Sequence, residues 1–556
     1  MNTKTENKNC QNCKKDFTIE PEDFNFYEKI KVPPPTWCPE CRQLRRYAWR
    51  NERTLYRRNC DLCSKSTVTI YSPNKTLKVY CNECWWGDGW DPASFGRDFD
   101  FARPFFEQYR EMQREVPRMA LLNKRSVNSE YTNHSADNKN VYLSFSVFDG
   151  ENIFYSNWMM NHCRECVDSS FLSEAGERLY EVINSRKSYQ CQNSVLLQDC
   201  INCFYSYDLR GCSDCFLCYN LRNKKYCFKN IQYSREEYFR KISEYDLGSY
   251  QIRTKLYKEY PKMLKDQAIH RYIISERTVN STGNFLFDLR NVRDSFEISK
   301  SENCRYIYCS PGVKDCWDLY HVGFHVELCY EAQGCTATSN CHFCHLCYDN
   351  VNVMYGDTCQ NSHDLFGCIS VKKGEYMILN KKYGKVEYEK LKEKIIEHMK
   401  KTGEYGEFFP PSVAPVCYNE TQGNLYMPLT REEVLARGWQ WEDKVSGTFG
   451  KETLKPEDIP DKIEDVKDSI TKEVLRCENC TKNYNIVPFE LSFYRRENIS
   501  IPYFCPDCRY KKRMDLRLPR KLWHGQCKSV LRELLQQRSI LNLSKSDGRQ
   551  KWLESF

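Results

Sequence analysis

The chain has 556 residues, with 83 Lys and Arg against 75 Asp and Glu, 33 Cys and a formal net charge of +8. That balance excludes a polycation, and no apolar run approaches the ~18 residues needed to span a bilayer. Residues 1–9 are hydrophilic and lack the apolar stretch of an export signal, so this many cysteines point to a reducing cytosol where thiols stay free or hold metal.

Residues 1–97 read as a tandem zinc-binding module. The first site is Cys10-x2-Cys13-x24-Cys38-x2-Cys41 and the second Cys60-x2-Cys63-x17-Cys81-x2-Cys84. Each Cys-x2-Cys knuckle turns two sulfurs toward one ion, and tetrahedral Zn²⁺ takes four thiolates. Thr67 to Tyr80 alternates like a hairpin around Ser72-Pro73-Asn74. Between Cys41 and Cys60 stand seven arginines against Glu52 alone. Arg42, Arg46, Arg50, Arg53 and Arg57 are spaced 4, 4, 3 and 4, which on a helix is one face.

Residues 98–127 form a helical connector. Pro104 opens a helix whose Phe105, Phe106, Tyr109 and Met112 share a face suited to docking on the first coil of the repetitive region next to it. Residues 128–230 and 282–380 share one texture: short runs of Cys, Tyr, Phe and Val punctuated by Asn, Asp, Ser and Gly. Recurrence at roughly 18–25 residues fits coils of a parallel β-solenoid. The two stretches are copies at an offset of 150, with Cys218, Tyr226, Asn230, Tyr233, Glu237 and Tyr238 recurring as Cys368, Tyr376, Asn380, Tyr383, Glu387 and Tyr388. Each copy closes with a helix, near Ser234 or Gly384, in the linker 231–281 and the helical segment 381–443. Thr430-Arg-Glu-Glu433 is a capping box ahead of Val434 and Trp439. Residues 444–475, with Pro456, Pro460 and alternating charges, read as a mobile tether.

Residues 476–527 repeat the first module at an offset of 467, as Cys477-x2-Cys480-x24-Cys505-x2-Cys508. Asp16-Phe17 falls on Asn483-Tyr484, Phe26-Tyr27 on Phe493-Tyr494, and Arg42, Arg46, Arg50 and Arg53 on Arg509, Arg513, Arg517 and Arg520. Pro519 interrupts a helix there. Cys527 begins a second site that Val530 does not continue, and the tail 528–556 opens with a helix-like run, Val530 to Leu543. The expected fold is therefore mainly β: a duplicated parallel β-solenoid with helical connectors, flanked by zinc-ribbon or treble-clef-like modules holding three zinc ions.

The residues Cys10-Gln-Asn-Cys-Lys-Lys-Asp-Phe17, Asn25-Phe26-Tyr27 and Pro35-Thr-Trp-Cys-Pro-Glu-Cys-Arg42 resemble a small bacterial zinc-ribbon family of the form CxxC…F…FY…P…CPxCR. The unit ending Val79-Tyr80-Cys81-Asn-Glu-Cys84 is similar to a second zinc-ribbon type. The layout as a whole resembles cysteine-rich zinc-ribbon proteins of small-genome, candidate-phylum bacteria, which implies a bacterial cytosolic setting and lends no activity.

Two classes of partner fit the arginine stripes. Guanidinium forks suit phosphate oxygens, and Tyr47, Trp49 and Tyr56 beside them suit stacked bases, which favours nucleic acid, RNA in particular, at Arg42, Arg46, Arg50, Arg53, Arg57, Arg509, Arg513, Arg517 and Arg520. The same arginines serve equally to pair with acids of the chain's own solenoid or of a protein partner in an assembly scaffold. Cys212-x2-Cys215-x2-Cys218 with Cys227, and Cys341-x2-Cys344-x2-Cys347, have a spacing open to an iron–sulfur cluster or extra zinc. At the offset of 150, however, Ser362 and Leu365 replace Cys212 and Cys215, which suits small core positions better. His162, His342 and His345 read as turn residues. A β-helix carbohydrate-active enzyme would need paired carboxylates, for which Asp168, Glu174 and Glu181 are candidates without a diagnostic spacing. No catalytic motif or small-molecule site stands out, so a non-enzymatic binding or scaffold protein is the expectation.

Overall fold

The computed structural model describes residues 4–321, 326–327, 330–334, 342–343, 345, 349–445 and 447–525. Cys341, Cys344, Cys347, Cys527 and the tail 528–556 lie outside them. The chain forms two compact units, each joining segments remote in sequence. One unites Met1–Leu121 with Tyr272–Ser446, and the other unites Leu122–Arg271 with Gly447–Phe556. The N-terminal four-cysteine modules thus belong with the second solenoid copy, and the C-terminal module with the first. Among the described residues, no helix is long and apolar enough to cross a membrane.

Both solenoids are stacks of strands paired in parallel, most of them four residues long, with Gly283–Arg293 and Ser295–Arg305 running over 11 residues each in the second. Val195 lies beside Tyr207, Ile201 beside Ser213 and Gly283 beside Ser295, a coil of 12 residues. A few coils take 13, as from Glu151 to Arg164. The coil is therefore shorter than the 18–25 residues expected from texture. Its cause is a left-handed residue at every third position: Asn202, Tyr205, Asp208, Gly211, Asp214, Leu217, Asn220 and Asn223 all have φ between 48° and 59°. Each coil turns four corners, and the inward side chain recurs every third residue rather than every second. Cys200, Cys203, Ser206, Leu209, Cys212, Cys215 and Cys218 follow that rule, and all are buried.

Left-handed backbone disfavours most L-residues, and Asn and Asp tolerate it best. Their abundance at corners adds ladders from coil to coil. Asn280, Asn291, Asn303 and Asp315 are linked by side-chain bonds of 3.1, 3.1 and 3.0 Å. Inside, small polar groups satisfy the backbone. Ser194 Oγ donates to the Gln192 carbonyl (2.8 Å) and accepts from the Ser206 amide (3.0 Å). Cys191 Sγ does the same toward the Tyr189 carbonyl (3.3 Å) and the Cys203 amide (3.5 Å).

The two copies end alike, by an antiparallel strand that stops further parallel pairing. Ile231–Gln232 pairs with Lys225–Phe228, and Lys381–Lys382 with Glu375–Ile378. Asn230 and Asn380 clamp these turns, bonding both ways to the backbone of Tyr219 and Ile369. Helices Arg235–Ile242, with a Ser234 capping box, and Lys385–Thr402 come next, as expected.

Three expectations are corrected. The helix after Pro104, Phe105–Glu115, packs against the second solenoid copy, with Phe105 5.4 and 5.5 Å from the rings of Tyr355 and Phe366. Residues 444–475 are anchored along their second half, because Ile459, Ile463, Val466 and Ile470 are buried with Phe493 and Tyr494. Finally, the hairpin of the second four-cysteine site pairs Tyr56–Asn59 with Ser66–Thr69 around the first knuckle, not around Ser72-Pro73-Asn74.

Candidate metal centres and the buried arginine locks

Each four-cysteine module is built the same way. An antiparallel pair of strands brings the first two cysteines to its turn, Glu6–Asn9 with Asp16–Ile19 and Leu475–Arg476 with Asn483–Tyr484. The residue after each first knuckle, Lys14, Ser64 or Thr481, has φ of 60° and turns the chain back. The second knuckle starts a helix: Cys38, Cys81 and Cys505 are the N-caps of Pro39–Tyr47, Asn82–Trp86 and Pro506–Asp515.

This architecture converges four sulfurs three times. Cys10, Cys13, Cys38 and Cys41, then Cys60, Cys63, Cys81 and Cys84, then Cys477, Cys480, Cys505 and Cys508 each lie within 4.8 Å of one another. Sulfur–sulfur separations are 3.8 Å for Cys13–Cys38, 3.9 Å for Cys63–Cys81 and 3.6 Å for Cys480–Cys505. Tetrahedral zinc with four thiolates requires about 3.8 Å. Nitrogen donors support the outer side of the sulfurs. The Cys38 and Cys505 amides donate to Cys10 and Cys477 Sγ at 3.2 Å, and Asn12 and Asn479 donate to Cys41 and Cys508 Sγ at 3.2 and 3.3 Å. Such donors stabilise thiolate ligands.

Without a cation the four thiols compete for charge. Bonding from Cys41 holds Cys38 down at about 5, and bonding from Cys505 holds Cys477 at about 4. Cys41 and Cys505 are pushed up in turn by those neighbours. Only a metal ion lets all four ionise together. The residues present therefore fit a four-thiolate metal site at each cluster.

The cysteines of the solenoid do something else. Cys212, Cys215, Cys218 and Cys227 point into the core, and each thiol donates to the carbonyl two residues earlier at 3.3–3.6 Å. They pack as small polarizable core residues.

The leading arginines of both stripes are turned inward, where they pair with acids of the chain's own solenoids, one of the two arrangements expected for them. Arg42, Arg46, Arg50, Arg509 and Arg513 are all at most 2% exposed. Arg42 grips Asp318 with both Nε and Nη2 at 2.9 Å, and Arg46 Nη1 joins the same carboxylate at 3.2 Å. Arg45 bridges Glu331 and Glu407. In the other unit, Arg509 Nε and Arg513 Nη1 reach Asp168 at 2.8 and 2.6 Å.

Asp168 and Asp318 are related by the solenoid offset of 150, and the arginines by the module offset of 467. One contact has thus been preserved twice. Neither stripe is a continuous helix: the first helix ends at Tyr47, Arg57 stands exposed on a strand, and the second ends at Asp515 before Pro519. Arg53, Arg517 and Arg520 are half-buried, and Arg517 lies 3.5 Å over the Phe171 ring. Tyr47, Trp49 and Tyr56, expected to stack on bases, are buried as well.

The remaining candidates are engaged separately. Asp168 belongs to the lock, Glu181 accepts from Tyr257 (2.5 Å) and Asn193, and Glu174 faces Lys187 at 3.6 Å. His162 sits at a left-handed corner beside Asp149. His345 is no surface turn residue: it is buried, bonded to Gln333 (2.7 Å), with Trp49 packed against its ring at 5.0 Å. Asp168 and Asp318 stand at the offset of 150 from one another, as do Glu181 and Glu331, but which acids the arginines meet is not legible in the sequence.

No protein-family model matches the chain, and neither the curated proteins nor the solved structures offer a match.

Proposed function

We propose that the chain is a zinc-binding, non-enzymatic scaffold for protein–protein assembly, working in a reducing cytosol. Three zinc ions fix the three four-cysteine clusters, and the terminal modules clamp solenoid surfaces for partners to use. The observation that carries this reading is the inward direction of Arg42, Arg45, Arg46, Arg50, Arg509 and Arg513. Guanidinium groups already bonded to Asp318, Glu331, Glu407 and Asp168 have no free forks to offer phosphates. Breaking a buried pair to reach a phosphate would leave its carboxylate uncompensated. Four thiolates at tetrahedral sulfur spacing are the donor set of a structural zinc site; a single iron takes the same set, so metal content is what separates the two.

Two measurements test the proposal. Elemental analysis of protein purified without added metal should return three zinc per chain with little iron, and one zinc or fewer in folded protein would refute the assignment. Titration with short single-stranded RNA at low salt should show no binding. Salt-sensitive affinity that falls on replacing Arg57, Lys511 or Lys521 would instead restore a nucleic-acid role.

A further inference from the structure

In the second solenoid, residues 91–98 run across the closing turn. Asn380 Nδ2 donates to the Pro92 carbonyl at 3.1 Å, and the Arg97 amide donates to the Leu379 carbonyl at 3.2 Å. Gly96 sits so close that a Cβ on it would stand 2.7 Å from the Lys381 Cα. Asp98 accepts from the Lys381 ammonium at 2.7 Å and from the Tyr383 hydroxyl at 3.2 Å. Under this cover Leu379 and Asn380 are fully buried.

The first solenoid closes with the same turn, 150 residues earlier, and the same groups stand open. Asn230 Nδ2 donates to the Tyr219 carbonyl at 3.0 Å, as Asn380 Nδ2 does to that of Ile369 at 2.9 Å. Its second hydrogen and the Tyr233 hydroxyl have no partner among the described residues. Lys229, in the place of Leu379, is exposed, and Asn230 is half-buried. Where the second copy has Lys381 and Glu389, the first has Ile231 and Phe239, which are 58% and 42% exposed. The cation is kept from another position. Lys241, in the place of Leu391, lies over the Tyr233 ring at 4.7 Å, as Lys381 lies over Tyr383 at 5.6 Å. Arg235 lies over Phe239 at 5.6 Å, and neither Arg235 nor Lys241 has a carboxylate partner among the described residues. Exposed apolar side chains rimmed by unused donors and cations suit an acidic ligand.

We propose that this end of the first solenoid docks a partner protein through a short acidic segment of the kind the second solenoid already holds. A carboxylate sits on Tyr233 and Lys241, a backbone carbonyl on Asn230, and an apolar side chain over Ile231 and Phe239. The inference rests on the scaffold reading and names the chemistry of the partner.

The probe is a fluorescent peptide with the sequence of residues 91–98, Asp-Pro-Ala-Ser-Phe-Gly-Arg-Asp, titrated into the zinc-loaded full-length chain. Polarisation should saturate at one peptide per chain. Ile231→Glu should weaken binding at least about tenfold, by setting a carboxylate against those of the peptide. Tyr233→Phe should weaken it about 3- to 10-fold, by removing one donor. Both variants should keep their zinc and β-structure. A peptide carrying benzophenone in place of its phenyl ring should crosslink wild-type protein within residues 229–241, and this arm decides alone if a variant loses structure. Three results would each overturn the proposal: no saturable binding, equal affinity for wild-type and folded Ile231→Glu protein, or crosslinking within residues 379–391 instead. The scaffold reading is judged separately, by the zinc and RNA measurements.

Discussion

Asp318 and Asp168, each fully buried, take two guanidinium groups apiece. Removing the carboxylate charge strips Arg42 or Arg513 of its buried counter-ion, while Arg46 keeps Glu331 at 3.8 Å and Arg509 keeps Glu490 at 3.5 Å. Asp318→Asn should therefore cost about 3–5 kcal/mol, read as a lowered denaturation midpoint of the unit that contains it. Asp168→Asn should do the same for the other unit. His345 gives a pH signature. Burial pushes its pKa down to about 4; nearby Asp357 opposes this, and the Arg118 and Arg50 guanidinium groups reinforce it. The unfolded side chain titrates near 6.5. Below that pH the unfolded chain binds a proton that the native one refuses. Its contribution to stability is therefore complete above pH 6.5 and lost progressively as pH falls toward 4. The loss is roughly 3 kcal/mol at most. His345→Gln should flatten that part of the stability profile relative to wild type.

At the scale of elements, the solenoid core treats serine and cysteine as variants of one solution. Both donate to the carbonyl two residues back and accept an amide from the next coil. Cys191→Ser should thus cost less than about 1 kcal/mol, since both bonds are remade. Cys191→Leu should cost about 1–3 kcal/mol by overpacking a small site. Thermal melts of the two variants, with zinc content unchanged in both, check the pair. A larger loss for serine than for leucine would contradict the core reading of these thiols. The three metal modules differ in cover. Cys10, Cys38 and Cys41 are buried, whereas Cys63 is exposed with Cys81 and Cys84 half-buried. A chelator with a chromogenic readout should therefore take zinc from the Cys60–Cys84 site first and from Cys10–Cys41 last. Cys63→Ser should remove the fast phase alone.

The whole molecule is two units that each unite distant parts of one chain, and only some of that arrangement is legible in sequence. The twelve metal-site cysteines are readable because tetrahedral coordination imposes a strict spacing on them. So is the duplication, since copies keep their landmarks at constant offsets, and so are the closing helices, whose starts depend on neighbours a few residues away. The solenoid was readable as a class but not in its period. An inward side chain every third residue requires left-handed corners such as Tyr205 and Leu217, which composition does not announce. The anchoring of residues 459–470 was masked by surrounding charges, although four isoleucine and valine positions recur there.

The arginine stripes mark the boundary between the two kinds of information. Sequence alone determines that the guanidinium groups share a face on the first turns of each module helix, because 3.6 residues per turn is a local property of the backbone. Which way that face points was decided only by tertiary structure. The acids it meets lie 276 and 345 residues away, and burying charge is tolerable only where an opposite charge is already held in place.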